Sequence, residues 1–159
     1  MGLDISVYQN IKKVITEDYE EFDFAAFVIN ERWLYKIKNL ENNAKYVGDV
    51  AEPEVGYSYS SHYQFRNYLC EIILEREVKR FSDEDLDEKM PFIELIDFAD
   101  NGGCLDWEVS EKLYKDFVEH KDKAVKYLEE QNEPHFRDRY LDWLKVFEVA
   151  KERGVVVFR

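Results

Sequence analysis

Apolar and polar residues alternate over positions 3–15, with Leu3, Ile5 and Val7 set against Asp4, Ser6 and Tyr8. A period of two is that of a half-buried β-strand. After an acidic stretch at 16–23, the short apolar run 24–30 predicts a second strand. Positions 31–43 mix aromatic and basic residues without a period and are left unassigned. Two brief strand-like pieces, 45–50 and 55–59, flank Pro53. The first third of the chain therefore predicts a small antiparallel sheet.

From Ser61 the period lengthens. Phe65, Leu69, Ile72 and Ile73 recur at helical spacing and predict an amphipathic helix over 61–79, with Ser60 or Ser61 as its N-cap. Residues 82–89 form an acidic loop, and 91–98 a short buried element, strand or helical turn. Asp106 can cap a further helix with the stripe Val109, Leu113, Phe117, continuing with a break to about 131. Pro134 suits the first turn of a last helix, whose stripe is Phe136, Tyr140, Leu144 and Phe147 and whose C′ residue is Gly154. The tail 155–159 reads as a strand returning to the N-terminal sheet. No repeat or linker interrupts the chain. The expectation is one α+β domain spanning 1–159: a small antiparallel sheet of N-terminal strands plus the C-terminal strand, packed against about three helices.

Composition narrows the function classes. A chain of 159 residues with 45% hydrophobic and 16% aromatic content can bury a dense core and is not disordered. The net charge of −13 opposes binding to nucleic acid or anionic membranes through the overall field, and it suits a basic protein partner. Cys70 and Cys104 have no disulfide-framework or metal-knuckle spacing and fit a reducing cytoplasm. There is no membrane-length apolar run and no signal-peptide pattern. The start Met1-Gly2-Leu3-Asp4-Ile5-Ser6 matches the myristoylation pattern, but the strand period and the lack of a nearby polybasic patch outweigh it. No cofactor signature is present, and none is expected.

Two segments carry candidate chemistry. The first is the turn Asp100-Asn101-Gly102-Gly103. Its freed backbone amides could hold an anion, but Asp100 and Asp106 flank it, and a self-bonded Asx turn is the plainer account. A calcium loop from Asp97 would use Asn101, Gly102 and Glu108 but has Ala99 at its third position. One from Asp83 would use Asp85, Asp87 and Glu94 but lacks the turn glycine, having Glu88 there. His62, His120 and His135 fall in no metal-binding spacing. The second segment is Gly56 to Arg66, GYSYSSHYQFR, which gathers hydroxyls, an imidazole and a guanidinium at a helix start. Tyr59, Ser60, His62 and Arg66, joined by Asp100 and Asn101, are the expected binding residues. The helix start and Arg66 would hold an anionic group, Tyr59 would stack, and Asp100 would take a hydroxyl or amine. An N-cap serine, aromatic packing and a paired arginine explain the same residues without a ligand.

The MGLDI start, SYSxxxxFR at 58–66, PFxELIDFAD at 91–100, EVSEKLYKDF at 108–117 and the end FRDRYLDWLKVFEVAKERGVVVF together resemble an uncharacterised family from tailed phages and prophages. That family's pattern has an aromatic residue where His62 stands, Trp at Phe65 and Ser at Ala99. The serine-aromatic-arginine helix start and the acid-glycine turn are also loosely similar to small immunity proteins of bacterial toxin systems. The resemblance implies a phage or prophage setting and carries no activity with it. The residues themselves lead to the expectation of a small cytoplasmic protein of the bacterial host, phage- or prophage-encoded, that binds without catalytic turnover. Counter-defence would follow from sequestering a small anionic, nucleotide-like ligand or from blocking a host factor. An immunity-type or acidic-decoy inhibitor, with the run Asp83 to Glu88 facing a basic partner, is a second expectation. A small metal-dependent hydrolase using Glu94, Asp97 and Asp100 is a third.

Overall fold

The N-terminal alternation builds the central strand of a sheet. In the computed structural model, which describes residues 2–15, 21–26, 31–97 and 102–159, β1 (Gly2–Lys13) pairs antiparallel with both β3 (Lys45–Ser58) and β5 (Val155–Phe158). Short edge strands β2 (Phe24–Ala25) and β4 (Gly103–Leu105) complete the order β2-β3-β1-β5-β4. The C-terminal strand does return to the N-terminal sheet, with Ile5 opposite Phe158 and Val7 opposite Val156. The two strand pieces expected around Pro53 are one strand, β3, whose pairing with β1 slips between Ile5 and Val7. Strand β4 went unread because Gly102 and Gly103 look like turn residues, and Gly103 does have φ 112°. Most of the second strand expected at 24–30 lies outside the described residues.

Five α-helices are present among the described residues, where about three were expected. Helix α1 (Tyr59–Leu74) ends sooner than its pattern suggests, and Glu75 takes a left-handed conformation at its C-cap. The buried element of 91–98 is a single helical turn, α2 (Ile93–Ile96). Asp106 caps α3 (Trp107–Glu119), and the anticipated break falls at His120, before α4 (Lys121–Glu130). Helix α5 (Pro134–Ala150) begins with its proline in the first turn. Its buried stripe passes through Trp143, leaving Leu144 half-buried. At its end the left-handed residue is Arg153, φ 56°, not Gly154. Gly154 is required by close approach: a Cβ there would lie 2.9 Å from Ala150 Cα and 3.0 Å from the Tyr8 carbonyl oxygen.

One sheet face packs on the helices. Leu3, Ile5, Val7, Val156 and Phe158 share a core with Phe65, Leu69, Leu113, Phe117, Tyr140, Trp143 and Phe147. The other face is not simply solvated. Tyr8, Val155 and Val157 are covered by Phe24, Leu40 and Tyr46, so β1 is buried on both sides at its middle. The covering excursion enters through a 3₁₀ turn at Glu31–Lys36, the part of the chain that periodicity left unassigned.

That excursion is pinned by one fully buried carboxylate. Asp106 Oδ1 accepts from Val109 N at 3.0 Å as the α3 cap, while Oδ2 accepts from Lys38 N, Asn39 N and Asn39 Nδ2, each at 3.1 Å. Asp106→Ala removes the cap and leaves three further donors unsatisfied. It is expected to destabilise the protein by about 3–5 kcal/mol. Urea denaturation checks this, and a loss below about 1 kcal/mol would contradict the assigned role.

Candidate functional site

Strand β3 runs into α1 without a loop. Ser58 ends the strand opposite Gly2 and also caps the helix, its Oγ accepting from Ser61 N at 3.2 Å. The N-cap is thus Ser58, not Ser60 or Ser61. Starting the helix at Tyr59 decides where the expected binding residues point. Ser60 is exposed, 3.2 Å from the Ser58 hydroxyl, and Tyr59 is half-buried against the core. His62 and Arg66, one turn apart, are both buried.

His62 packs against the rings of Trp143 and Phe158, at centroid distances of 5.9 and 6.5 Å. Its Nδ1 has no hydrogen-bond partner, nor has the buried Nε1 of Trp143. Burial, reinforced by the positive charges of Arg66 and Arg139, lowers its pKa to about 3, so the ring is neutral at pH 7. Arg66 donates from Nη1 to the Ile96 carbonyl at 2.9 Å, with its guanidinium about 5.4 Å from the Tyr63 and Phe81 ring centres (5.5 and 5.3 Å). Arg66 therefore ties α1 to the end of α2, immediately before the stretch containing Asp100 and Asn101. Those two residues lie outside the described ones. Neither His62 nor Arg66 presents its polar atoms at the surface beside Ser60.

A second arginine reaches the same helix start without having been singled out by the sequence. Arg139 of α5 donates to Ser61 Oγ and lies 3.8 Å over the Tyr57 ring. Burial lowers its pKa. Only tertiary packing brings it there, since 78 residues separate it from Ser61.

The carboxylates proposed for metal chemistry are engaged elsewhere. Glu94 pairs with Lys36 and Lys112, both at 2.8 Å, and Lys36 sits 4.5 Å from the Trp33 ring centre. Asp97 accepts from Trp33 Nε1 at 2.8 Å. Asp85 closes a capping box with Ser82 and pairs with Arg76. Among the described residues, no three His, Cys, Asp or Glu side chains are grouped to hold a metal ion. Cys70 is buried, which pushes its thiol up to about 12 and leaves it a poor nucleophile.

An opening lies elsewhere, between α1 and α4. It is a cleft of about 820 Å³ lined by residues that include Gln64, Tyr68, Glu71, Glu75, Lys123 and Tyr127. Tyr68 and Tyr127 meet edge to face at 6.4 Å. Glu71 is only 7% exposed, accepting from Val78 N at 2.9 Å and from the Tyr127 hydroxyl. Burial, then that bond to Glu71, raises the Tyr127 pKa. The sequence does hold a signal for this site. Asn67 and Glu71, four apart, are polar residues on the buried side of α1, next to Leu69 and Ile72. At the exit of that helix they hold the returning chain through Phe81 N and Val78 N.

Comparison with protein-family models, curated proteins and solved structures returned no match to this chain. Among the described residues, no helix is long and apolar enough to cross a membrane.

The neutral, buried His62 gives a pH test. Its folded pKa lies below the unfolded value of 6.5, so the unfolded chain takes up the proton first. The contribution is complete above pH 6.5 and is lost as pH falls toward 3, by a few kcal/mol over that window. His62→Phe fills the aromatic slot without a titrating nitrogen. It is expected to raise stability at pH 7 by about 1 kcal/mol and to flatten the pH 3–6.5 decline. Identical pH slopes for the two proteins, measured by denaturant titration, would contradict this.

Proposed function

We propose that this chain is a binding protein without catalytic turnover that engages a basic protein partner in the manner of an acidic decoy or immunity protein. The observation that carries this is the placement of charge. The acidic run is presented outward on an ordered scaffold: Asp83, Glu84, Asp87 and Glu88 are exposed, while Leu86 is anchored in the core and Asp85 is held by Ser82 and Arg76. A rigid acidic edge loses little conformational entropy on binding, and the net charge of −13 steers a basic partner toward it. The groups with catalytic potential in the sequence are committed to internal structure: Glu94 to two lysines, Asp97 to Trp33, and His62 to an aromatic stack.

A small anionic ligand at the α1 start has less support, because His62 and Arg66 turn inward and Arg139 is bound to Ser61. The resemblance to phage and prophage proteins suggests the setting, counter-defence inside a bacterial host, with the partner a basic host protein.

The test is capture of a partner from host lysate by the immobilised protein, followed by affinity measurement across salt concentrations. Binding is expected to weaken at least about tenfold between 50 and 300 mM salt. It should also weaken about tenfold in a variant carrying Asp83→Lys, Glu84→Lys and Glu88→Lys. A captured partner indifferent to both changes would refute an electrostatic decoy.

A further inference from the structure

Three carboxylates are buried among the described residues, and they are compensated differently. Glu94 has two lysines. Asp106 has three backbone amides, a side-chain amide and the start of α3. Glu71 has one amide and one phenol, and no cation within ion-pair distance. It is also the one of the three that lines the large cleft between α1 and α4. A buried carboxylate without a countercharge is costly, and a cleft above it gives a cation a way in.

We propose that this cleft is a socket for an arginine side chain of the basic partner, with the guanidinium pairing with Glu71. Each Glu71 oxygen already accepts one hydrogen bond and keeps a second acceptor position, which suits the two-pronged donor set of a guanidinium. Tyr68 and Tyr127 supply aromatic surface on which its planar face can stack. Three acids and three bases line the cleft, but the bases are less available. Lys123 pairs with Glu75 at 2.7 Å and Arg76 pairs with Asp85, leaving Lys79 at the exposed rim. The deepest charge, where solvent screens least, is the negative one. The site is continuous with the acidic run, since Arg76 lines the cleft and also holds Asp85. A partner docked on Asp83 to Glu88 would thus have the socket beside it.

The socket rests on the reading of the chain as an acceptor of a basic partner, yet it can be tested without that partner. The blocked peptide acetyl-Gly-Arg-Gly-amide is titrated into the intact protein and followed by amide NMR shifts and calorimetry, with the citrulline peptide as its neutral isostere. The arginine peptide is expected to shift resonances of Tyr68, Glu71 and Tyr127 and to bind at least tenfold tighter than the citrulline peptide. Glu71→Gln should lower its affinity at least tenfold. Because that change also touches the Val78 and Tyr127 contacts, Tyr68→Leu serves as a second variant; it leaves Glu71 in place and should weaken binding several-fold. Equal binding of the two peptides, no binding of either, or wild-type affinity in both variants would overturn the socket. Agmatine binding more tightly than the peptide would make the occupant a free small cation and overturn its assignment to a protein side chain. Partner capture that persists in Glu71→Gln would sink the socket alone, whereas salt-independent capture would sink the electrostatic decoy alone.

Discussion

The architecture depends on a junction with no slack: β3 becomes α1 at Ser58, which belongs to both. A strand residue paired with Gly2 cannot move without breaking the central ladder, so the first turn of α1 is fixed against the sheet. From there, helical geometry dictates which side chains face inward. Positions 62, 65, 66 and 69 fall on the covered side, and Ser60 and Gln64 on the open one. Arg139 then bonds Ser61 and covers Tyr57, closing α5 over the joint.

This constraint explains why chemically suggestive residues became structural ones. His62 fills an aromatic position among Trp143 and Phe158, and Arg66 links α1 to α2 by a carbonyl bond. A histidine and an arginine one turn apart look like an anion cradle when the helix start is placed at Ser60 or Ser61. With the helix beginning at Tyr59 and the chain folded beneath α5, the same pair lies inside. A displacement of two or three residues in the cap thus changed the meaning of the segment.

Much of the fold was legible because it rests on local patterns. The β1 strand, the Asp106 cap, the Pro134 start and the α3 stripe each follow from a few adjacent residues and appear as expected, although β1 is buried on both faces at its middle where the alternation predicts one. What escaped was set by distant contacts. The 31–43 excursion has no period because it is held point by point: Trp33 to Asp97, Lys36 to Glu94, and Asn39 to Asp106. The β4 edge strand is three residues whose partner, β5, lies some fifty positions away. The candidate cleft was hidden for the same reason, since Tyr127 meets Glu71 across 56 residues. Its one local trace, the polar pair Asn67 and Glu71 beside the apolar stripe, is also what a helix needs to hold the chain that follows it.

Scarcity of cations gives that cleft its interest. With 35 acidic and 22 basic residues, at least thirteen acids (35 − 22) can have no cation of their own. On the surface this costs little, because water and salt screen charges beyond about 8 Å. In the interior it does not, and there the buried Glu94 takes two lysines. A chain so short of positive charge that doubles it at one buried acid, while Glu71 has none, treats the two sites differently. At Glu94 the need is closure, since Lys36 belongs to the excursion and Lys112 to α3, and the carboxylate binds both to α2. At Glu71 the hydrogen bonds to Val78 N and Tyr127 already secure the neighbouring chain. A lysine there would add closure the site does not need and would fill the cleft between α1 and α4. Its absence keeps a desolvated negative charge at the end of an accessible cleft, which is the electrostatic arrangement that favours a cation arriving from outside.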